Sequence, residues 1–281
     1  MRDPLVPLTE DQTRARYDLG RAIQVGEIKL TTVECVCGSK SAEVLADHER
    51  FGFPLITALC SQCGTVFSAN GVNADTSPVF YERFYRRLHP GAGDKWRRAM
   101  KDAQKASHLD ECCLPDAPIG EVGAGTGATA ETLGEALGVA SHAVDFDPAG
   151  ENVRRGDWKA LPDELGTLLA VHVLEHVLDP VQTLRQWASK VRFGGRLIVV
   201  VPDFLNVGSH RYVQDHGIKA WFHLAHVWNW TKDTVRLPFL LAGLRVVSVC
   251  KRGPGTLATV GSLVVVAERR DTGREMVDYV S

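Results

Sequence analysis

The segment EVGAGTGATAETL, residues 121–133, places Gly123, Gly125 and Gly127 directly ahead of helix-forming residues. Glycines at a helix start leave backbone N–H groups open to close approach by an anionic or polar ligand. About 18 residues further on, AVDFDP puts Asp145 at the end of the next strand-like run, where a carboxylate can accept both hydroxyls of a ribose. Gly123, Gly125 and Ala128 also satisfy the dinucleotide pattern G-x-G-x-x-G/A, so nicotinamide-dependent oxidation is a rival reading at this point. Glu121 sits at the strand end, where a carboxylate can receive the ammonium of an amino-acid ligand. With Gly127 it extends the pattern to E-x-G-x-G-x-G.

A second group lies in HVLEH, residues 172–176, which formally matches the inverted zinc-protease pattern H-x-x-E-H. That chemistry needs one helix presenting both histidines and a further ligand. The preceding LLAV reads instead as a buried strand, so His172 and His176 straddle a strand-to-helix turn. Ligands of open α/β sheets bind at the carboxyl ends of strands, which puts Glu175 and His176 near a reacting centre. The competing reading has them capping the helix and bonding to loops.

A third group is cysteine-based. Cys35-Val-Cys37-Gly and Cys60-Ser-Gln-Cys63-Gly are two tight turns, each followed by glycine. Four thiolates so arranged can hold one tetrahedral Zn²⁺, and a closed set implies a structural rather than a catalytic ion. A segment this short has little core of its own, so metal would supply folding energy. Glu34 stands where a cysteine is usual, making the first turn C-x-C. Cys112, Cys113 and Cys250 lie apart and read as free thiols.

These residues need elements to hold them. Thr9 is a candidate N-cap for a helix to Ile23. Residues 31–70 read as short, glycine-punctuated β structure, and 76–110 as helical, broken at Pro90-Gly91. From 117 onward strands alternate with helices, which implies a mostly parallel sheet covered on both faces. The last two strands, RVVSVCKR and GSLVVVAERR, lack a long helix between them and are expected to form an antiparallel edge pair. The expected fold is α/β: a doubly wound, mostly parallel seven-stranded sheet with a small N-terminal zinc-binding module. The expected division is 1–75 for the module, 76–116 for a helical linker or lid, and 117–281 for the catalytic domain.

Taken in order, EVGAGTG, AVDFDP, RRGDWKALP and HVLEHVLDP resemble the class I S-adenosylmethionine-dependent methyltransferases over about residues 117–270. The resemblance implies Glu121 and the glycines around the methionine part and Asp145 on the ribose. It places Asp157 and Trp158 near the adenine, the indole covering its face. The layout with an N-terminal cysteine module further resembles a subgroup from sugar and natural-product pathways, in which a Tyr-rich helix follows the module. Here that helix is Phe80-Tyr81-Glu82-Arg83-Phe84-Tyr85, and by resemblance Tyr81 or Tyr85 closes over S-adenosyl-L-methionine. Amphipathic packing is the competing reading for both tyrosines. Several sugar C-methyltransferases of this group carry a long C-terminal domain. The chain ends soon after its last strand without that domain, which favours O-methylation over C-methylation, with N- or C-methylation by the same fold as the alternative.

The acceptor is expected against FLNVGSHRYVQDHGIKAWFHLAHVWNW, residues 204–230, a long connection rich in His, Trp and Tyr. Such groups suit a sugar or polyhydroxylated ring. His210, His216, His223 and His226 lie within it, and His226 best matches the family's histidine before the next helix. A His near neutral pKa could take the acceptor's proton, with His176 as the other candidate base. Asp203 and Asp215 form no clear carboxylate pair for a divalent ion.

Composition narrows the partners. The chain has 281 residues, 44% hydrophobic and 23% charged, with a net charge of −2. Nothing global drives it to nucleic acid or anionic lipid. No apolar run reaches the roughly 18 residues of a membrane span, and the start lacks a signal-peptide core. Of seven cysteines, four cluster early as two close pairs, and without an export signal that pattern reads as metal binding rather than disulfides, in the cytoplasm. The expected partner is a small-molecule acceptor. A non-catalytic protein that binds a partner through its zinc module is a further alternative.

Overall fold

The structure, a computed structural model, describes residues 1–89, 109–252 and 261–270. Helix α1 (Glu10–Gln24) opens with the expected cap: Thr9 accepts from Gln12 N, and the Gln12 side chain bonds back to Thr9 N. This reciprocal box satisfies two otherwise orphaned donors. Strands β1 (Leu30–Thr32), β2 (Ala42–His48), β3 (Pro54–Cys60), β4 (Val66–Ser68) and β5 (Asn70–Val72) follow. Next comes a helical stretch, α2 (77–88), whose middle turn Tyr81–Tyr85 is π-helical. Such widened turns recur at functional sites. The helix expected from DKWRRAM lies outside the described residues.

The main sheet contains β6 (Ile119–Val122), β7 (Ser141–Asp145), β8 (Val153–Arg155), β9 (Leu165–Val171), β10 (Val191–Pro202), β12 (Arg245–Arg252) and β13 (Ser262–Glu268). Its order is β12-β13-β10-β9-β6-β7-β8. The five strands β6 to β10 run parallel, as their connecting helices require. Those helices include α3 (Ala128–Leu137) and α4 (Pro180–Lys190), the latter capped by Asp179 with Pro180 at its first position. This is the expected doubly wound seven-stranded sheet.

The last two strands form the expected antiparallel pair at one edge of the sheet, with β12 outermost and β13 bonded on its other side to β10. The run SLVVVAE is buried almost throughout, which suits an interior position rather than an edge.

Both faces of the sheet are dry. Leu168, Leu197 and Val199 face one core, while Leu169, Ile198 and Val264 face the other. The first core does not stop at the main sheet. It continues into Val33, Cys35, Cys60 and Phe67 of the N-terminal half.

The long connection after β10 is built, not loose. It contains short 3-10 turns at Phe204–Ser209 and Ile218–Trp221, helix α5 (Arg211–His216) and strand β11 (Trp228–Asn229). Strand β11 pairs with β4, giving a four-stranded sheet of order β11-β4-β3-β2. The connection therefore completes the N-terminal sheet. Among the described residues no helix is long and apolar enough to cross a membrane.

Candidate active site

The glycine loop leaves β6 and enters α3. Gly123, Gly125 and Gly127 all hold positive φ, at 63°, 56° and 79°. A Cβ on Gly123 would meet Val173 Cγ2 at 2.5 Å, and one on Gly127 would meet Val153 at 2.7 Å. Gly125 differs, because among the described residues a Cβ there meets no atom within 4 Å. Among these residues, open space borders the loop at its centre. Glu121 is buried at 2% exposure, and its Oε2 accepts from Ala130 N at 3.0 Å.

Asp145 ends β7. Its Oδ2 accepts from Gly125 N at 2.7 Å and its Oδ1 from Asp147 N at 2.8 Å. Each carboxylate oxygen keeps a second acceptor position, which two ribose hydroxyls could use. Asp157 caps the turn Trp158–Ala160 by accepting from Lys159 N. Trp158 packs against the main core, with the ammonium groups of Lys159 and Lys190 each 5.9 Å from its ring centre.

The turn after β9 carries the histidine-glutamate group. His172 holds a φ of 57°, rare for a residue with a Cβ, and such strain concentrates at functional sites. Its Nδ1 lies 3.2 Å from Glu175 Oε1. Glu175 is 1% exposed, and its Oε2 has no hydrogen-bond partner among the described residues. His176 Nδ1 lies 2.8 Å from Ala225 O, and a carbonyl only accepts, so Nδ1 carries the proton and Nε2 keeps its lone pair. Val173, within this turn, is the side chain that abuts Gly123. The two loops are neighbours because β6 and β9 are hydrogen-bonded parallel strands.

Two other elements converge there. Tyr81 and Tyr85 of α2 each stand 6.1 Å, ring to ring, from His176. Arg86, the next residue along, anchors α2 by reaching the Asp147 carbonyl at 2.7 Å and its carboxylate at 3.0 Å. His226 lies 4.9 Å from His176 and 3.8 Å from His223. It is fixed by the N-terminal sheet: Ser68 Oγ donates to His226 O at 3.0 Å, and Ser68 N donates to Val227 O at 2.7 Å.

Burial controls the protonation of this cluster. It lowers the pKa of His176, and it lowers those of His89, His223 and His226 further with help from neighbouring cationic groups. It pushes the Tyr85 phenol up to about 12 and raises the Tyr81 phenol well above its ordinary value. The result is a set of neutral imidazoles beside protonated phenols.

Two members escaped sequence reasoning. His89 lies 4.6 Å from both the Tyr85 and His223 rings. Its spacing from Tyr81 and Tyr85, every fourth residue, was a usable cue for one helix face. Arg50 reaches His89 Nδ1 at 2.8 Å from the turn between β2 and β3, and no local pattern announces it. Among the other histidines of the connection, His210 stacks edge-on with Trp221, and His216 is exposed. Asp203 is fully buried but spent on Leu205 N, Asn206 and Lys251.

The four module cysteines also meet. Cys35 Sγ lies 3.5 Å from Cys63 and 3.6 Å from Cys37, and Cys37 lies 3.6 Å from Cys60. A tetrahedral zinc thiolate, with bonds of about 2.3 Å, spaces its sulfurs about 3.8 Å apart. The donor set fits such an ion despite Glu34.

The methyltransferase-domain family matches residues 96–249. The chain belongs to that family. It is an S-adenosylmethionine-dependent methyltransferase, and the nicotinamide reading of the glycine pattern is overturned. Two solved structures share the fold. A chain from the complex of the Haloferax volcanii Trm112 methyltransferase activator with a methyltransferase is 17% identical, with a TM-score of 0.51 over 63% of this chain and 94% of its own. TnmH is 19% identical, with a TM-score of 0.50 over 69% of this methyltransferase and 61% of its own chain. No curated protein matches the sequence.

Proposed function

We propose that this methyltransferase alkylates a hydroxyl of a sugar or natural-product acceptor held at the side-chain cluster of Tyr81, Tyr85, His176 and His226. The observation that carries the reading is the meeting of these four side chains beside the glycine loop, on elements from both halves of the chain. Gly123, Gly125 and Gly127 would border the methionine part of the cofactor, Glu121 its ammonium end, Asp145 its ribose and Asp157 its adenine amino group. Bound S-adenosylmethionine supplies a methyl on a sulfonium, already activated for displacement. The protein then has mainly to align the acceptor and remove water.

Forming the new C–O bond releases the hydroxyl proton. A neutral imidazole is the group suited to receive it. His226 is the first candidate and His176 the second, with Glu175 supporting the positive charge that develops. The phenols of Tyr81 and Tyr85 stay protonated and can donate to acceptor oxygens.

The proposed layout keeps a zinc module over 1–75, a lid over 76–116 and a catalytic domain over 117–281, with Cys35, Cys37, Cys60 and Cys63 on structural zinc. The protein acts on a small molecule, without membrane or nucleic acid, in the cytoplasm. The test is His226→Ala, assayed by methyl transfer to a panel of hydroxylated acceptors. Turnover should drop at least tenfold while S-adenosylhomocysteine affinity stays within a few-fold. Unchanged turnover would reject the role of His226.

A further inference from the structure

We propose that Glu175, His176 and His226 together bind a first-row divalent transition ion, a site separate from the four cysteines. One carboxylate oxygen and one nitrogen from each histidine all lie within 4.8 Å of one another. Glu175 Oε1 is 3.9 Å from His176 Nε2. An ion with bonds of about 2.0–2.1 Å sets tetrahedral ligands about 3.3 Å apart, so modest side-chain turns would close the set.

Three features suit metal rather than plain packing. The first is the His176 tautomer. Its Nδ1–H points to the Ala225 carbonyl, which turns the Nε2 lone pair toward Glu175. Metal-bound histidines are oriented by such an outer hydrogen bond. The second is the unpaired buried oxygen, Glu175 Oε2. An orphaned buried carboxylate oxygen is costly, and a cation would offset that cost. The third is His172. Strained into positive φ, it reaches Glu175 Oε1 at 3.2 Å and positions that oxygen.

Two nitrogens and one carboxylate leave coordination positions open, as sites that engage substrate do. The inference rests on the reading of this cluster as the acceptor site, and it changes what the histidines do there. Their lone pairs go to the ion, so the acceptor hydroxyl binds the ion and releases its proton to solvent. The C–O bond forms as the methyl–sulfur bond breaks, yielding the methyl ether, S-adenosylhomocysteine and one proton. No electrons are exchanged with the ion.

The test counts ions. The full chain is stripped with chelator, dialysed against zinc and analysed for metal per chain, beside the double variant Glu175→Gln, His226→Gln. Wild type should hold one more ion per chain than the variant. With cobalt(II) in place of zinc, the wild-type chain should show d–d bands without thiolate charge transfer, on top of any cysteine-site spectrum. Equal ion counts in folded proteins overturn the proposal. Should the variant fail to fold, a wild-type cobalt spectrum made wholly of thiolate bands overturns it alone. S-adenosylhomocysteine calorimetry separates the two readings. Homologue binding with equal ion counts sinks the ion and spares the methyltransferase site, and an ion difference without homologue binding does the reverse.

Discussion

Gly125 and Gly123 look alike in the sequence and differ in what a methyl group would do to them. Both sit at positive φ, where an added Cβ costs on the order of 1–2 kcal/mol. At Gly123 the Cβ also strikes Val173, while at Gly125 it points into open space. Gly125→Ala is therefore expected to lower stability by about 1–2 kcal/mol and to weaken S-adenosylhomocysteine binding at least tenfold. Denaturant melts and calorimetry on one preparation would check both. A loss of stability with unchanged affinity would mean that the space over Gly125 is not where the ligand lies. The glycines, Asp145 and the cysteine turns were legible because each depends on neighbours a few residues away. The company kept by Trp158 was not, since Lys190 reaches it from the end of another helix.

Elements explain why the acceptor side was harder to read. The Tyr-rich helix was visible as a pattern, but its docking depends on Arg86 finding Asp147. Strand β11 is two residues long and gains its identity only by pairing with β4. The turn between β2 and β3 carries Glu49, fully buried, whose Oε1 accepts from Phe51 N and Phe53 N while Oε2 has no hydrogen-bond partner among the described residues. Burial pushes its pKa to about 8, against the pull of those N–H groups, Arg50 and Arg16. Since the folded value exceeds the ordinary carboxyl value, the folded chain holds an extra proton between the two. This residue's contribution must then fall as pH rises from about 4.5 to about 8. The melting temperature of Glu49→Gln minus that of wild type should accordingly grow across that window. A constant difference would show that Glu49 is ionised throughout.

Across the whole molecule, the two halves are joined by backbone as well as by core. Strand β11 belongs to the N-terminal sheet, the backbone at His226 hangs on Ser68, and Cys35 and Cys60 contribute to the core under the main sheet. Removing the zinc proposed for the cysteine turns should therefore do more than unfold a small appendage. Chelation, or Cys60→Ser with Cys63→Ser, is expected to lower the one thermal transition by several degrees and to reduce methyl transfer together with it. Scanning calorimetry would reveal the alternative, two separate transitions with only the first metal-dependent. The doubly wound class could be read from the alternation of elements. The place of β13 could not, because insertion between two earlier strands is a tertiary choice that its apolar run permits but does not spell out.

The pairing of β11 with β4 bears on inheritance as much as on catalysis. A recombination joint placed between the two halves would separate His226 from the strand that sets its height. Exchangeable cargo in this architecture is then a discontinuous pair, residues 1–89 together with 203–230. Chimeras that swap both segments should keep their acceptor preference with the donor of the segments, while chimeras that swap one should lose it.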